Sequence, residues 1–173
     1  MIRVPATQTR NLTRFCQTRP PLPRPLKRNL AVQVVNRKMA EASLSCSYTD
    51  LKQGVDKLLQ LPGPHYVVFL ADNSPATGVS WCPDCVRCGP AVKRVCADQG
   101  ASLLEVLVGQ REVWKDPQHP LRNDPAIKLG GVPDLMRWGA EGPTAKLGVA
   151  LEKAGSPAEA VAVVAKFLLD TKC

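Results

Sequence analysis

The chain has 173 residues, 45% of them hydrophobic, and its 23 Lys and Arg against 15 Asp and Glu give a formal charge of +8. That length accommodates one ordinary domain with a real core and excludes a second large one. Residues 1–40 hold nine basic residues and no acid, leaving 14 bases and 15 acids in residues 41–173; the domain itself carries no basic signal for nucleic acid.

The basic extension comprises Arg3, Arg10, Arg14, Arg19, Arg24, Lys27, Arg28, Arg37 and Lys38, with Pro5, Pro20, Pro21, Pro23 and Pro25 among them. These prolines break any continuous helix or strand between Thr18 and Lys27. An Arg-rich, acid-free N-terminus reads as a mitochondrial or chloroplast transit peptide, although no serine precedes Ser43. The alternatives are a disordered basic extension, or translation that starts at Met39 in "KMAEASL". No run approaches the ~20 apolar residues of a membrane span, and no apolar signal-peptide core is present. The expected compartment is therefore intracellular and reducing, where clustered cysteines suggest catalysis or metal binding before structural disulfides.

After the extension, "TDLKQGVDKLLQLPGP" places Leu51, Val55, Leu58 and Leu59 on one helical face, with Thr49 or Asp50 as N-cap and Pro62-Gly63-Pro64 as the stop. "HYVVFLAD" is a continuous apolar run of the kind found in a strand buried on both faces. The loop "NSPATGVS" leads to Trp81 and a helix running from Cys82 to about Asp98, ended by Gln99-Gly100. "SLLEVLVG" is the next strand. Residues 110–129, polar and interrupted by Pro117, Pro120 and Pro125, allow at most one short helix, around Pro125 to Leu129. "VPDLMRWG" and "TAKLGVAL" read as two strands of an antiparallel hairpin turning at Gly139 to Pro143. The last helix, "SPAEAVAVVAKFLLD", has Ser156 as N-cap, Pro157 at its first position and Glu159 completing a capping box.

Four of the seven cysteines fall in "SWCPDCVRCGPAVKRVC", at Cys82, Cys85, Cys88 and Cys96. Cys82 stands where a loop enters a helix, so unpaired N–H groups and the positive end of the dipole favour its thiolate. Cys85, one turn further, lies within disulfide reach. Pro83 suits the first turn because its missing N–H is not needed there. The rival reading is a zinc or iron–sulfur module using Cys82, Cys85, Cys88 and Cys96. Against it, all four lie in one predicted helix, no second Cys pair follows, and a single helix cannot wrap four of its own side chains around an ion. Cys88 and Cys96 read as small apolar residues on the buried face. His65, before a strand, and His119, in a loop, read as exposed or hydrogen-bonded side chains. Cys16, Cys46 and Cys173 are isolated and read as ordinary thiols.

"SWCPDC", followed by "EVWKDPQHPLR" and then "IKLGGVPDLMRWG", resembles the thioredoxin-like Clot family, over about Thr49 to Asp170. The resemblance implies an α/β thioredoxin fold, a central mixed sheet with helices on both faces, occupying residues 41–173 as a single domain. It implies a protein-disulfide reductase that needs no cofactor or metal. Cys82 would be the nucleophile and Cys85 the resolving thiol, together the redox-active disulfide. Pro133 would be a cis-proline facing the dithiol, and Val132 before it would pair with an extended substrate. Trp81 would wall the site, and Pro90 would bend the active-site helix. The resemblance further implies thioredoxin reductase as electron donor, cystine and selected protein disulfides as substrates, and a monomer in the cytosol, or in an organelle if residues 1–38 are a transit peptide.

Three departures from ordinary thioredoxins stand out. Phe69 occupies the stretch where a buried aspartate is usual, so a proton leaving Cys85 would have to use water, Asp72 or Asp84. Asp84, inside the CxxC, should oppose the helix dipole at Cys82 and repel anionic partners. Asp134, following Pro133 where threonine is usual, adds a second acid near the site. Trp114 is expected to pack over the Asp116-Pro117 turn, or else to shape the substrate edge.

Overall fold

A computed structural model describes residues 43–171; the basic extension, with Cys16, and Cys173 lie outside the described residues. Five strands, β1 (Leu44–Ser47), β2 (His65–Leu70), β3 (Ser102–Leu107), β4 (Asp134–Gly139) and β5 (Gly142–Lys146), form one sheet in the order β1-β3-β2-β4-β5. The first three run parallel, and β4 and β5 are antiparallel to their neighbours. Six helices accompany them: α1 (Leu51–Leu58), α2 (Pro83–Asp98), α3 (Arg111–Lys115), α4 (Pro120–Asn123), α5 (Val149–Glu152) and α6 (Pro157–Asp170). This is the mixed sheet with flanking helices that the sequence implies.

β2 lies in the middle of the sheet with Tyr66, Val67, Val68 and Phe69 fully buried, as suits a run without polar interruption, which is stable only when both faces are covered. On one face α1 approaches so closely at Gly54 that a Cβ there would lie 2.7 Å from Cys46 Sγ. Cys46 thus packs beneath α1. On the other face α2 and α6 pack together, with Tyr66 and Phe167 in edge contact at 6.2 Å between centroids. α6 begins as its sequence dictates: Ser156 Oγ accepts the Glu159 N–H at 3.2 Å, and the Glu159 carboxylate accepts the Gly155 N–H at 2.8 Å.

Several local expectations are corrected. β1 is an additional strand; its "LSCS" has too few apolar residues to show a periodic pattern, and only pairing with β3 defines it. Asp50 occupies the N-cap of α1 without a side-chain bond, while the Ser47 hydroxyl accepts the Thr49 N–H of the short 3-10 turn before it. The helix expected around Pro125 to Leu129 is absent, because the Asp124 carboxylate accepts the N–H groups of Ala126 and Ile127 and holds a turn. α3 and α4 form instead, the latter with Pro120 in its first turn. The strand expected through Leu151 stops at Lys146: Gly148 adopts φ +64, which turns the chain into α5.

Candidate functional site

The carboxyl ends of β2 and β3 face the N-terminus of α2, where an open α/β sheet places its chemistry. Ala71, just beyond β2, donates its N–H to Cys85 Sγ at 3.4 Å, and the loop that follows is closed by a bridge between Asn73 and Ser80. The Ser80 hydroxyl donates to Ala71 O at 3.0 Å, and the Trp81 indole N–H to Gly109 O, also at 3.0 Å. Trp81 is thereby tied to the loop after β3. Cys82 is the N-cap of α2: its sulfur accepts the Cys85 N–H at 3.3 Å, and its thiol lies 3.4 Å from Val132 O. The Val132–Pro133 peptide is cis and brings that carbonyl to the thiol. Pro83 is exposed in the first turn of α2, and Pro90 lies inside the helix.

The two thiols are electrostatically unlike. The Cys82 thiol is pulled down to about 7, first by a hydrogen bond from the Cys85 thiol and then by the N–H groups of Cys85 and Asp84, which together outweigh burial. Cys85 is pushed well up, because its proton is held in that same bond and because it is buried. The pair is therefore set to hold one negative charge, on Cys82. Asp84 raises Cys82 only weakly, as the last of its influences. Asp84 is itself ion-paired: the Arg87 guanidinium meets its carboxylate at 2.7 Å and reaches Ala154 O at 2.8 Å and Glu152 O at 3.2 Å.

Cys88 is fully buried and donates to Leu151 O at 3.4 Å; Cys96 is 1% exposed and pushed up to about 12 by burial alone. Among the described residues no three His, Cys, Asp or Glu side chains gather as metal ligands would. His65 bonds Leu61 O at 2.8 Å, and His119 is buried, with Nε2 on Val108 O at 3.0 Å and Nδ1 accepting the Leu121 N–H. Trp114 packs at 5.1 Å between ring centroids against His119, with the Arg122 guanidinium 4.1 Å over its ring. It is 6% exposed and braces the segment after β3 from inside.

Asp134, expected as a second acid near the site, is buried and engaged on both oxygens. It is 3% exposed, with Oδ1 accepting the Gly148 N–H at 2.8 Å and Oδ2 at 3.3 Å from the Lys146 ammonium. Burial raises its pKa despite these partners. It fastens the start of α5 to β4. Of the proton routes open to Cys85, Asp72 is engaged by the Gly109 N–H at 2.8 Å and Asp84 by Arg87. Sequence reasoning missed a third carboxylate, Glu105 in β3, 7% exposed and 2.7 Å from Lys93 Nζ. It lines, with Cys85, Lys93, Asp72 and Ser80, a cavity of about 740 Å³ behind the resolving thiol. The signal was there in "SLLEVLVG", one charge in an otherwise apolar strand.

Comparison with known proteins agrees with this geometry. Residues 45–150 match the family model described as thioredoxin domain-containing protein 17-like, thioredoxin domain. The thioredoxin-like protein Clot of Arabidopsis thaliana is 45% identical over 76 residues, 43% of this chain and 57% of that protein. The rice Clot protein (Oryza sativa subsp. japonica) is 40% identical over 88 residues, 47% of this chain and 63% of the relative. Human thioredoxin domain-containing protein 17 is 32% identical over 79 residues, 44% of this chain and 63% of the relative. The aligned regions thus span 57–63% of these relatives' length. With the fold, the helix-capping cysteine and the family model in agreement, the chain belongs to the thioredoxin domain-containing protein 17-like family of thioredoxin domains.

Proposed function

We propose that the protein is a thiol–disulfide oxidoreductase working as a disulfide reductase through Cys82 and Cys85. The observation that carries this reading is the asymmetry of the pair, one thiol drawn down to about 7 at a helix N-terminus and its partner held protonated beside it. The Cys82 thiolate attacks one sulfur of a substrate disulfide, forming a mixed disulfide and expelling the other half as a thiolate, which takes up a proton. Cys85 then loses its proton and attacks Cys82 Sγ, releasing the second half. The substrate gains two electrons and becomes two thiols, and the protein dithiol becomes the Cys82–Cys85 disulfide. Glu105 and Asp72 line the same cavity as Cys85, and the proposed route for the Cys85 proton runs through water to one of these two carboxylates.

Trp81 and the cis Val132–Pro133 peptide flank the nucleophile from two sides. Val132 is 7% exposed, and its carbonyl lies 3.4 Å from the Cys82 thiol. Cystine and selected protein disulfides are the proposed substrates. Return to the dithiol needs an external two-electron donor, for which an NADPH-dependent thioredoxin reductase is the proposed partner. The working form is proposed to be a monomer, in the cytosol or, if residues 1–38 are removed as a transit peptide, in an organelle.

An NADPH-coupled assay with thioredoxin reductase, on cystine and insulin, tests the proposal. Wild type is expected to turn over and Cys82→Ser to fall to background; equal rates for both would remove Cys82 from the nucleophilic role. Cys85→Ser is expected to stop at the mixed disulfide, visible by mass.

A further inference from the structure

The carboxylates around the dithiol are unequal in their partners. Asp84 is matched by Arg87 at 2.7 Å and Asp134 by Lys146 at 3.3 Å. Glu152, in α5, has no hydrogen bond or ion pair to its carboxylate among the described residues; only its backbone carbonyl is bonded, by Arg87. Its side chain lies against Gly131, where a Cβ would stand 1.8 Å from Glu152 Oε1. The carboxylate thus occupies space that only a glycine at this position leaves free. Gly131 directly precedes Val132, whose carbonyl meets the Cys82 thiol. One negative charge without an ion-pair partner among the described residues therefore lies beside the backbone that borders the nucleophile. It is only half-exposed, and burial, then Asp134 and Asp84, raise its pKa, so its field and theirs overlap.

We propose that Glu152 is a specificity-determining residue that favours disulfides bearing positive charge next to the reacting sulfurs, such as amine-bearing disulfides, over anionic ones. The proposal rests on the disulfide-exchange reading above. It differs from an effect of Asp84, whose charge Arg87 already balances. A charge a few ångströms from the bound substrate shifts association of a like or unlike charge by roughly three- to tenfold where the intervening medium is largely water, and added salt weakens the effect.

The test is single-turnover oxidation of the pre-reduced full chain at pH 8 and low salt, quenched by alkylation and read by mass. Three probes of similar size are used: cystamine, a dication; bis(2-hydroxyethyl) disulfide, neutral; and 3,3′-dithiodipropionate, a dianion. Relative to wild type, Glu152→Gln is expected to lower the cystamine-to-dithiodipropionate rate ratio roughly three- to tenfold, Glu152→Asp to lower it less, and 0.5 M salt to shrink the difference between wild type and Glu152→Gln. An unchanged ratio in Glu152→Gln, or the same fall in Glu152→Asp, overturns the proposal while leaving disulfide exchange intact. Wild-type protein oxidised by none of the three probes overturns the disulfide-exchange reading and this proposal with it.

Discussion

The two halves of α2 carry the same side chain under opposite conditions. Cys82 and Cys85 at its start are 6% and 5% exposed, and Cys88 and Cys96 further along are 0% and 1% exposed, so burial alone hardly separates them. Yet Cys82 is drawn down to about 7 and Cys96 pushed up to about 12. Burial raises every one of these thiols. What rescues Cys82 is the donors it meets: a neighbouring thiol and two N–H groups left unpaired because a helix begins there. A turn or more further in, those N–H groups are spent on the helix itself, and a cysteine there is a small apolar residue.

The largest effect should come from exchanging the roles that this comparison assigns. Cys82→Ser should lower disulfide reduction at least a thousandfold, whereas Cys88→Ala and Cys96→Ala should keep turnover within about twofold. The latter pair should each cost roughly 1 kcal/mol of stability in urea unfolding, the scale of a small buried group removed from a packed core. Loss of turnover in Cys88→Ala would bring the third cysteine into the chemistry.

Alkylation of the reduced protein against pH separates the halves more finely. Thiolate accumulates above a thiol's pKa, so the Cys82 rate should rise about tenfold per pH unit below neutrality and level off above about 7. Cys96 should stay unmodified until pH approaches about 12, or until the domain opens. A common profile for both would mean that the helix start confers nothing on Cys82.

A smaller effect is expected at Asp84. Its charge raises the Cys82 pKa, so Asp84→Asn should shift the alkylation midpoint down, and Arg87→Gln, by exposing that charge, should shift it up. Opposite signs in the two variants are the diagnostic; a raised midpoint in Asp84→Asn would refute the assignment. Least of all should change on starting the chain at Met39, which is expected to leave midpoint and turnover the same within error.

The sequence made the helix bearing the cysteines legible because its signals agreed: a loop, a capping position, a proline in the first turn and an apolar face. The buried strand of Tyr66 to Phe69 was equally plain. Contacts between segments distant in sequence were not legible. Asp134 is legible as an acid next to Pro133, but its partners, Lys146 at the end of β5 and Gly148 beyond it, are not. The weight given to Asp84 ignored Arg87, three residues away in the same helix, although an i,i+3 pair of opposite sign is a local signal. Glu152 and Gly131 had no signal at all, since nothing in either segment tells that α5 folds back over the loop before Pro133. Residues 110–129 hide two short helices in a polar segment: α3 is only five residues long, and it is Pro120, not Pro125, that begins the other.

The parallel pairing of β1 has a consequence for how this domain is attached to the rest of its chain. Leu44 lies opposite Leu104, and β1 runs alongside β3 and β2 towards the end of the sheet where Ala71 meets Cys85. Ser43, which precedes β1, therefore lies level with Leu103 and Tyr66, five residues before Ala71, or roughly 17 Å along the sheet from the Cys85 sulfur at about 3.3 Å per strand residue. The described domain thus begins towards one end of the sheet and carries its two reacting thiols at the other.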